Sequence, residues 1–230
     1  MITQENNIKN YLIKYKTVFW DFDGVLKDSV LIKGEAYKKT FQKFGPNISN
    51  RIMKHHLDNG GLSRFKKIPL YLSWTQELIN KEKINFYLEE FSKNSINLVI
   101  ECKPIPGAFQ MVKFMSLNSV NILITATPKK DIEKILDKIS LTNYFKTIYG
   151  AETDKYAVIK KVLSNSSNKI NDFIFIGDSE IDVKAAISNK IPFLLKACKE
   201  NLELAKYYKL PFIRNFKSNT NVDFSFAKDD

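Results

Sequence analysis

The sequence predicts an α/β protein, a doubly wound parallel sheet with an all-helical unit inserted into it. Three observations carry this expectation. Beyond residue 104, short apolar runs alternate with segments of helical periodicity, the order expected of a sheet wound on both faces. Between 31 and 103 the spacing is helical and no strong alternating strand occurs. Finally, Val18-Phe19-Trp20-Asp21-Phe22-Asp23-Gly24 runs a short apolar segment straight into two carboxylates at i and i+2. In open α/β sheets ligands sit beyond the carboxyl ends of the strands, which is where Asp21 and Asp23 fall.

The first sixteen residues form a polar lead-in, and the first core strand follows, ending at Phe22. Tyr37, Phe41 and Phe44 then keep i, i+4, i+7 spacing until Gly45-Pro46 stops that helix. Residues 48–57 read as a second short helix and Asn59-Gly60-Gly61 as a turn. From Pro69 to about residue 100, apolar residues such as Leu78, Tyr87, Leu88, Phe91 and Val99 recur at helical spacings, in two helices or more. After Pro104-Ile105-Pro106-Gly107, Pro106 suits a helix start, and Phe109, Val112 and Met115 continue the helix. Residues 120–124 are a buried strand. Thr127-Pro128 fits N-cap and first-turn positions, and Ile132, Ile135, Leu136 and Ile139 make one apolar stripe. Strands at 147–149, 173–176 and 192–195 alternate with helices at 156–163, 181–188 and 202–208. The tail from Lys217 is polar and expected to be loose. The division is a core of residues 1–30 and 103–230 and a helical unit of 31–102, with no internal repeat.

The net charge is +11, from 36 Lys and Arg against 25 Asp and Glu. The basic residues are scattered, and no run reaches the length of a nucleic-acid arm, so specific nucleic-acid binding is not expected. Cys102 and Cys198 lie far apart without metal-ligand spacing, which fits a reducing compartment. No apolar run approaches bilayer length, and residues 1–10 lack the apolar centre of a secretory signal. The expectation is a soluble cytoplasmic protein with no membrane partner; composition leaves the oligomeric state open.

Alone, Asp21-x-Asp23-Gly24 also reads as a strand followed by a polar turn. The full string Asp21-Phe22-Asp23-Gly24-Val25-Leu26-Lys27-Asp28-Ser29 resembles the first motif of the haloacid-dehalogenase (HAD) superfamily of phosphohydrolases. Three further strings match in order. Ile124-Thr125-Ala126-Thr127-Pro128 ends a strand in a hydroxyl beside a helix start, an arrangement that favours anions; Thr127 as a plain helix cap is compatible with it. It resembles the second motif, which implies that the Thr125 hydroxyl and the Ala126 N–H hold phosphoryl oxygens. Lys155, by default a surface lysine, follows a strand and opens a helix as the third motif requires. Its implied role is to neutralise phosphate charge and hold Asp21. Gly177-Asp178-Ser179-Glu180-Ile181-Asp182-Val183-Lys184-Ala185-Ala186 resembles the fourth motif closely. Asp178 ends a buried strand and Asp182 lies one turn into the next helix. Both can face one cation, and a carboxylate set suits Mg²⁺; the plainer reading is a helix capped by Asp178 or Ser179.

The resemblance covers nearly the whole chain and implies a Rossmann-like core with a helical cap inserted after the first motif. It implies Asp21 as nucleophile and Asp23 as general acid/base, with Mg²⁺ held by Asp21, Asp23, Asp178 and Asp182, the last directly or through water. Dehalogenases of this fold need neither the second Asp nor Mg²⁺, so the pair Asp23 and Asp178 points to phosphoryl chemistry on a small phosphorylated substrate. Phosphatase, phosphomutase and a basic binding protein of idle fold remain as readings. The stretch Gly60-Gly61-Leu62-Ser63-Arg64-Phe65-Lys66-Lys67 resembles the cap element of phosphoglycolate-phosphatase-like members, which implies that Gly61, Arg64 and Lys67 face the substrate. It also reads as a solvated helix–turn–helix. His55 and His56 fit packing better than metal binding. One departure is Asn189-Lys190, where members often carry Ala-Gly; Asn189 tolerates left-handed backbone angles.

Overall fold

The structure is a computed structural model and describes residues 6–227. The first five residues of the lead-in and the last three of the tail lie outside the described residues. The core is a six-stranded sheet in the order β3-β2-β1-β4-β5-β6, parallel throughout. Its strands are β1 (Thr17–Trp20), β2 (Val120–Ile124), β3 (Thr147–Tyr149), β4 (Phe173–Gly177), β5 (Phe193–Lys196) and β6 (Phe212–Ile213). Its helices are α1 (Ile8–Leu12), α6 (Ala108–Ser116), α7 (Lys129–Lys138), α8 (Lys155–Ser164), α9 (Glu180–Ser188) and α10 (Leu202–Tyr208).

Successive strand residues alternate between faces, so β1 feeds two cores. Val18 and Trp20 pack with Leu123, Ile174 and Ile176 beneath α1, α6 and α7, where Met111, Val112, Ile132 and Leu136 close the layer. Phe19 points to the other face, with Phe175, Leu195, Val158, Ile159 and Val183. Trp20 pairs with Leu123 on one side and Ile176 on the other. That shared register brings the carboxyl ends of β1, β2 and β4 together.

The helical insert comprises α2 (Val30–Thr40), α3 (Gly45–Asp58), α4 (Arg64–Ser73) and α5 (Lys81–Glu101). It buries its own cluster, Tyr37, Phe41, Ile52, Ile68, Tyr71, Leu72, Tyr87 and Phe91. Tyr37 stacks on Phe91 with ring centroids 3.8 Å apart, and Phe41 on Tyr87 at 4.8 Å. No helix among the described residues is long and apolar enough to cross a membrane.

Several local expectations differ. Residues 8–12 of the polar lead-in are helical, because Ile8 and Leu12 share one face and are both buried, and the Asn7 side chain accepts from the Lys9 N–H. Strand β1 stops at Trp20 rather than Phe22, although the Asp21 N–H still donates to the Ile176 carbonyl at 2.9 Å. Gly45-Pro46 opens α3 as well as ending the preceding turn, with Pro in the first turn where no N–H is needed. Pro69 lies inside α4 instead of at the start of a segment. The tail is not loose through residue 226. Val222 is buried and its N–H donates to the Asn6 carbonyl, Asp223 exchanges backbone bonds with Phe212, and Phe226 stacks on Phe212. At 189–190 the left-handed residue is Lys190, with φ 58°, and Asn189 is the helix C-cap.

Candidate active site

The site is built at the three aligned strand ends. Asp21 follows β1, Thr125 follows β2 and Asp178 follows β4, each buried or nearly so. Gly24 turns the chain sharply here at φ +76°. A Cβ at that position would stand 2.0 Å from Asp178 Oδ2, so only glycine lets the first loop pass so close to the second carboxylate.

Asp21, Asp178 and Asp182 form one group, with an oxygen from each lying within 4.8 Å of the others. Lys155, at the start of α8, is buried between two of them. Its Nζ is 3.1 Å from Asp21 Oδ1 and also bonds Asp182 Oδ1. Asp182 is held rigidly, since its other oxygen accepts from the Ser179 N–H at 3.1 Å and the Ser179 hydroxyl at 2.6 Å in a capping box. Burial pushes the Asp21 carboxyl up to about 7; the charges of Asp182 and Asp23 add to this and Lys155 opposes it. Asp178 is raised well above the usual carboxylate range by burial, then by the charges of Asp21, Asp182 and Asp23, with Lys155 opposing. For Lys155, burial is outweighed by Asp182 and Asp21, and its ammonium is held above the ordinary lysine range. Three crowded carboxylates with one ammonium are a hard oxygen donor set short of positive charge. That set fits a divalent cation such as Mg²⁺.

Asp23 is not part of this group among the described residues. Its carboxylate is turned toward the insert, where it accepts from the Ser29 hydroxyl at 2.6 Å, from the Thr127 hydroxyl at 3.2 Å and from Lys33 Nζ. Lys33 also donates to Thr127 Oγ1 at 2.6 Å. Burial would raise Asp23, but the Lys33 charge and these hydrogen bonds outweigh it and hold the carboxyl below its ordinary value. The expected cap at Thr127 is therefore corrected. Its hydroxyl serves Asp23, and Pro128 occupies the N-cap position of α7 without a side-chain bond. Thr125 is buried, and its Oγ1 accepts the Thr127 N–H at 3.2 Å, which leaves the hydroxyl proton to point elsewhere. Ala126 lies on the wall of the cavity that Asp21, Asp23 and Asp178 floor.

The insert supplies the opposite wall, through Lys33, Gly61, Arg64 and Lys67. Gly61, at φ +76°, lies so close to α9 that a Cβ would meet Ser179 Oγ at 2.4 Å. Lys67 is buried with Nζ 3.0 Å from His56 Nδ1, and His56 Nε2 sits 3.0 Å from the Val30 carbonyl. Burial, then the Lys67 charge, pushes His56 down to about 3, so the ring is neutral. Burial and the neighbouring Lys33 push Lys67 down to about 7. Arg64 borders the cavity, but Nη1 is engaged away from it, donating to Asp131 at 2.6 Å. Nothing in the sequence singles out Lys33 or Asp131. One lysine among 36 basic residues and one aspartate outside any motif carry no signal until the fold supplies their partners.

Residues 18–196 match the family model described as haloacid dehalogenase-like hydrolase. Phosphoglycolate phosphatase 1 of Pseudomonas aeruginosa is 27% identical over 178 residues, a match spanning 74% of this chain and 65% of that protein. The chain thus spans slightly less than two thirds of the length of that relative. Among solved structures, β-phosphoglucomutase of Clostridium difficile aligns with a TM-score of 0.71 at 19% identity, covering 89% of this chain and 93% of its own. A haloacid dehalogenase-like family protein of Streptococcus pneumoniae aligns at 0.64 and 18%, covering 86% and 93%. At these identities the solved structures speak for the fold, and the match over residues 18–196 for the family: the chain belongs to the haloacid dehalogenase-like hydrolases.

Proposed function

We propose that the chain is a Mg²⁺-dependent phosphatase of small phosphorylated metabolites, working through an aspartyl-phosphate, with the helical insert as its cap. The observation that carries this reading is the different surroundings of two carboxylates two residues apart. Asp21 is held beside Lys155 at the open end of β1, and Asp23 is clamped by Ser29, Lys33 and Thr127. Neighbouring carboxylates with divergent environments are how acid/base and nucleophilic roles are separated in one site.

In this reading an Asp21 oxygen attacks phosphorus and the bond to the leaving oxygen breaks. Asp23, ionised at rest beside Lys33, takes up a proton from solvent as the charge of the phosphate enters the site, gives it to the leaving oxygen, then takes one from the water that attacks the aspartyl-phosphate, releasing inorganic phosphate and restoring Asp21. The Thr125 hydroxyl and the Ala126 N–H hold the phosphoryl oxygens, and Lys155 offsets their charge while fixing Asp21. Asp21, Asp178 and Asp182 would hold Mg²⁺, which when bound would supply further charge neutralisation and favour the ionised form of those carboxylates. Gly61, Arg64 and Lys67 face the leaving group from the cap.

The named activity of the Pseudomonas relative makes 2-phosphoglycolate the first substrate to try. The half-buried free thiols Cys102 and Cys198 suit a reducing, cytoplasmic setting. The test is phosphate release from a panel of phosphorylated metabolites and from p-nitrophenyl phosphate, with Mg²⁺ or excess EDTA. D21N is expected to abolish release by about 10³-fold or more while keeping the fold. Full activity of D21N, or in EDTA, removes the proposal. Retention of the phosphoryl group on product would make the enzyme a mutase.

A further inference from the structure

Across the boundary between insert and core, Arg64, which also borders the proposed substrate site, meets Asp131, which the proposed chemistry does not use, in a largely buried contact. Arg64 opens α4 of the insert and Asp131 lies in the first turn of α7 of the core, each at most 9% exposed. Arg64 Nη1 donates to Asp131 Oδ2 at 2.6 Å and to the Ser92 hydroxyl at 2.5 Å. Ser92, on α5, donates in turn to Asp131 Oδ2 at 2.8 Å. The guanidinium carbon stands 4.6 Å from the centre of the Phe91 ring. These bonds tie two insert helices to one core helix through a single carboxylate oxygen.

We propose that Asp131 is the positioning residue of the cap: through Arg64 it fixes the closed placement of the insert over Asp21 and Asp23. The inference rests on the phosphatase reading only for its kinetic consequence. Three features favour Asp131 as the anchor. It sits at a helix N-terminus, where the dipole favours negative charge. Its helix begins directly after Thr125-Ala126-Thr127, the turn assigned to the phosphoryl group. Its partner Arg64 borders the same cavity as Asp21 and Asp23, so securing Nη1 orients the remaining donors of the fork.

The energetics make the pair a selector of position more than a source of affinity. With the cap open, both charges are hydrated. With it closed, they are desolvated and paired, and the two contributions largely offset. A cap closed in any other register would bury an uncompensated charge, at considerable cost. Loss of one partner therefore penalises the closed state alone, whereas replacement of both by apolar residues of similar volume removes the penalty.

The experiment compares wild type, D131N and R64M/D131L by amide hydrogen exchange without substrate, following residues 88–95 and 129–135 on the apposed helices and the core strands as reference. Kinetics use the alkyl phosphate that the wild type turns over fastest, beside p-nitrophenyl phosphate. In D131N, exchange in the two apposed segments is expected to rise by about tenfold with the strands unchanged. KM for the alkyl phosphate should rise about tenfold, kcat should change less than about threefold, and p-nitrophenyl phosphate hydrolysis should stay within about threefold. R64M/D131L should recover wild-type exchange. Unchanged exchange in D131N, acceleration spread evenly through the sheet, or a double variant as fast as D131N would each overturn the proposal. If the wild type releases no phosphate, the functional reading fails while the exchange arm still decides the latch. If the wild type is active and D131N exchanges normally, the latch alone fails.

Discussion

Lys33 reaches Asp23 from the first helix of the insert, so the proposed acid/base is held by a residue from outside the core. This cation answers a physical problem. A buried carboxyl drifts toward its protonated form, and a group that must accept a proton from water has to be ionised first. With Lys33→Met, Asp23 loses its main counter-charge and its pKa rises. It can still protonate a leaving alkoxide, but with the raised pKa it recaptures a proton from solvent before water attacks the aspartyl-phosphate, and in that form it cannot accept the proton of the water. The second half-reaction should then limit turnover. We expect kcat to fall by roughly 10²-fold on alkyl and aryl phosphates alike, with a burst of nitrophenol, and activity to recover as pH rises through the new Asp23 pKa. Pre-steady-state mixing with p-nitrophenyl phosphate measures this directly. An undiminished kcat without a burst would detach Lys33 from the chemistry.

Among the elements, the strand ends were the legible part of the sequence. The runs before Asp21, Thr125 and Asp178 read as buried strands, and parallel pairing in register must bring their carboxyl ends to one edge. Elements with little apolar signal of their own were missed: α1 buries only Ile8 and Leu12, and β6 has two residues. The tail misled for the same reason. Its composition is polar, but Val222 fills a gap in one core and Phe226 packs on the edge of the other. A chain ending at residue 216 should therefore lose about 3 kcal/mol, the burial of two apolar side chains less what the exposed edge recovers. The midpoint of urea unfolding reports it. A midpoint equal to that of the full chain would mean that the tail is as loose as its composition suggests.

Across the whole molecule, the net charge of +11 describes the surface more than the site. Around the cavity, Lys33, Arg64 and Lys155 are each matched to a carboxylate, and pairing on that scale is invisible in a composition. Asp21, Asp178 and Asp182 are the exception, three carboxylates sharing the one ammonium of Lys155. Without a metal, protons meet part of that deficit: burial and mutual repulsion hold Asp21 at about 7 and Asp178 well above its ordinary value. A divalent cation that binds the folded chain and displaces those protons must stabilise it. At Mg²⁺ about a hundredfold above Kd the gain is about 2.7 kcal/mol, which in a chain of this size raises Tm by roughly 5–10 °C. Protons compete for the same oxygens, so the shift should be larger at pH 8 than at pH 6. D178N removes one ligand and should lose most of the shift without needing any substrate to show it. Thermal unfolding at the two pH values, with Mg²⁺ and with EDTA, decides the matter. An equal Mg²⁺ shift in wild type and D178N would place the cation elsewhere on the protein, and no shift in either would leave the three carboxylates as a purely protonic cluster around Lys155.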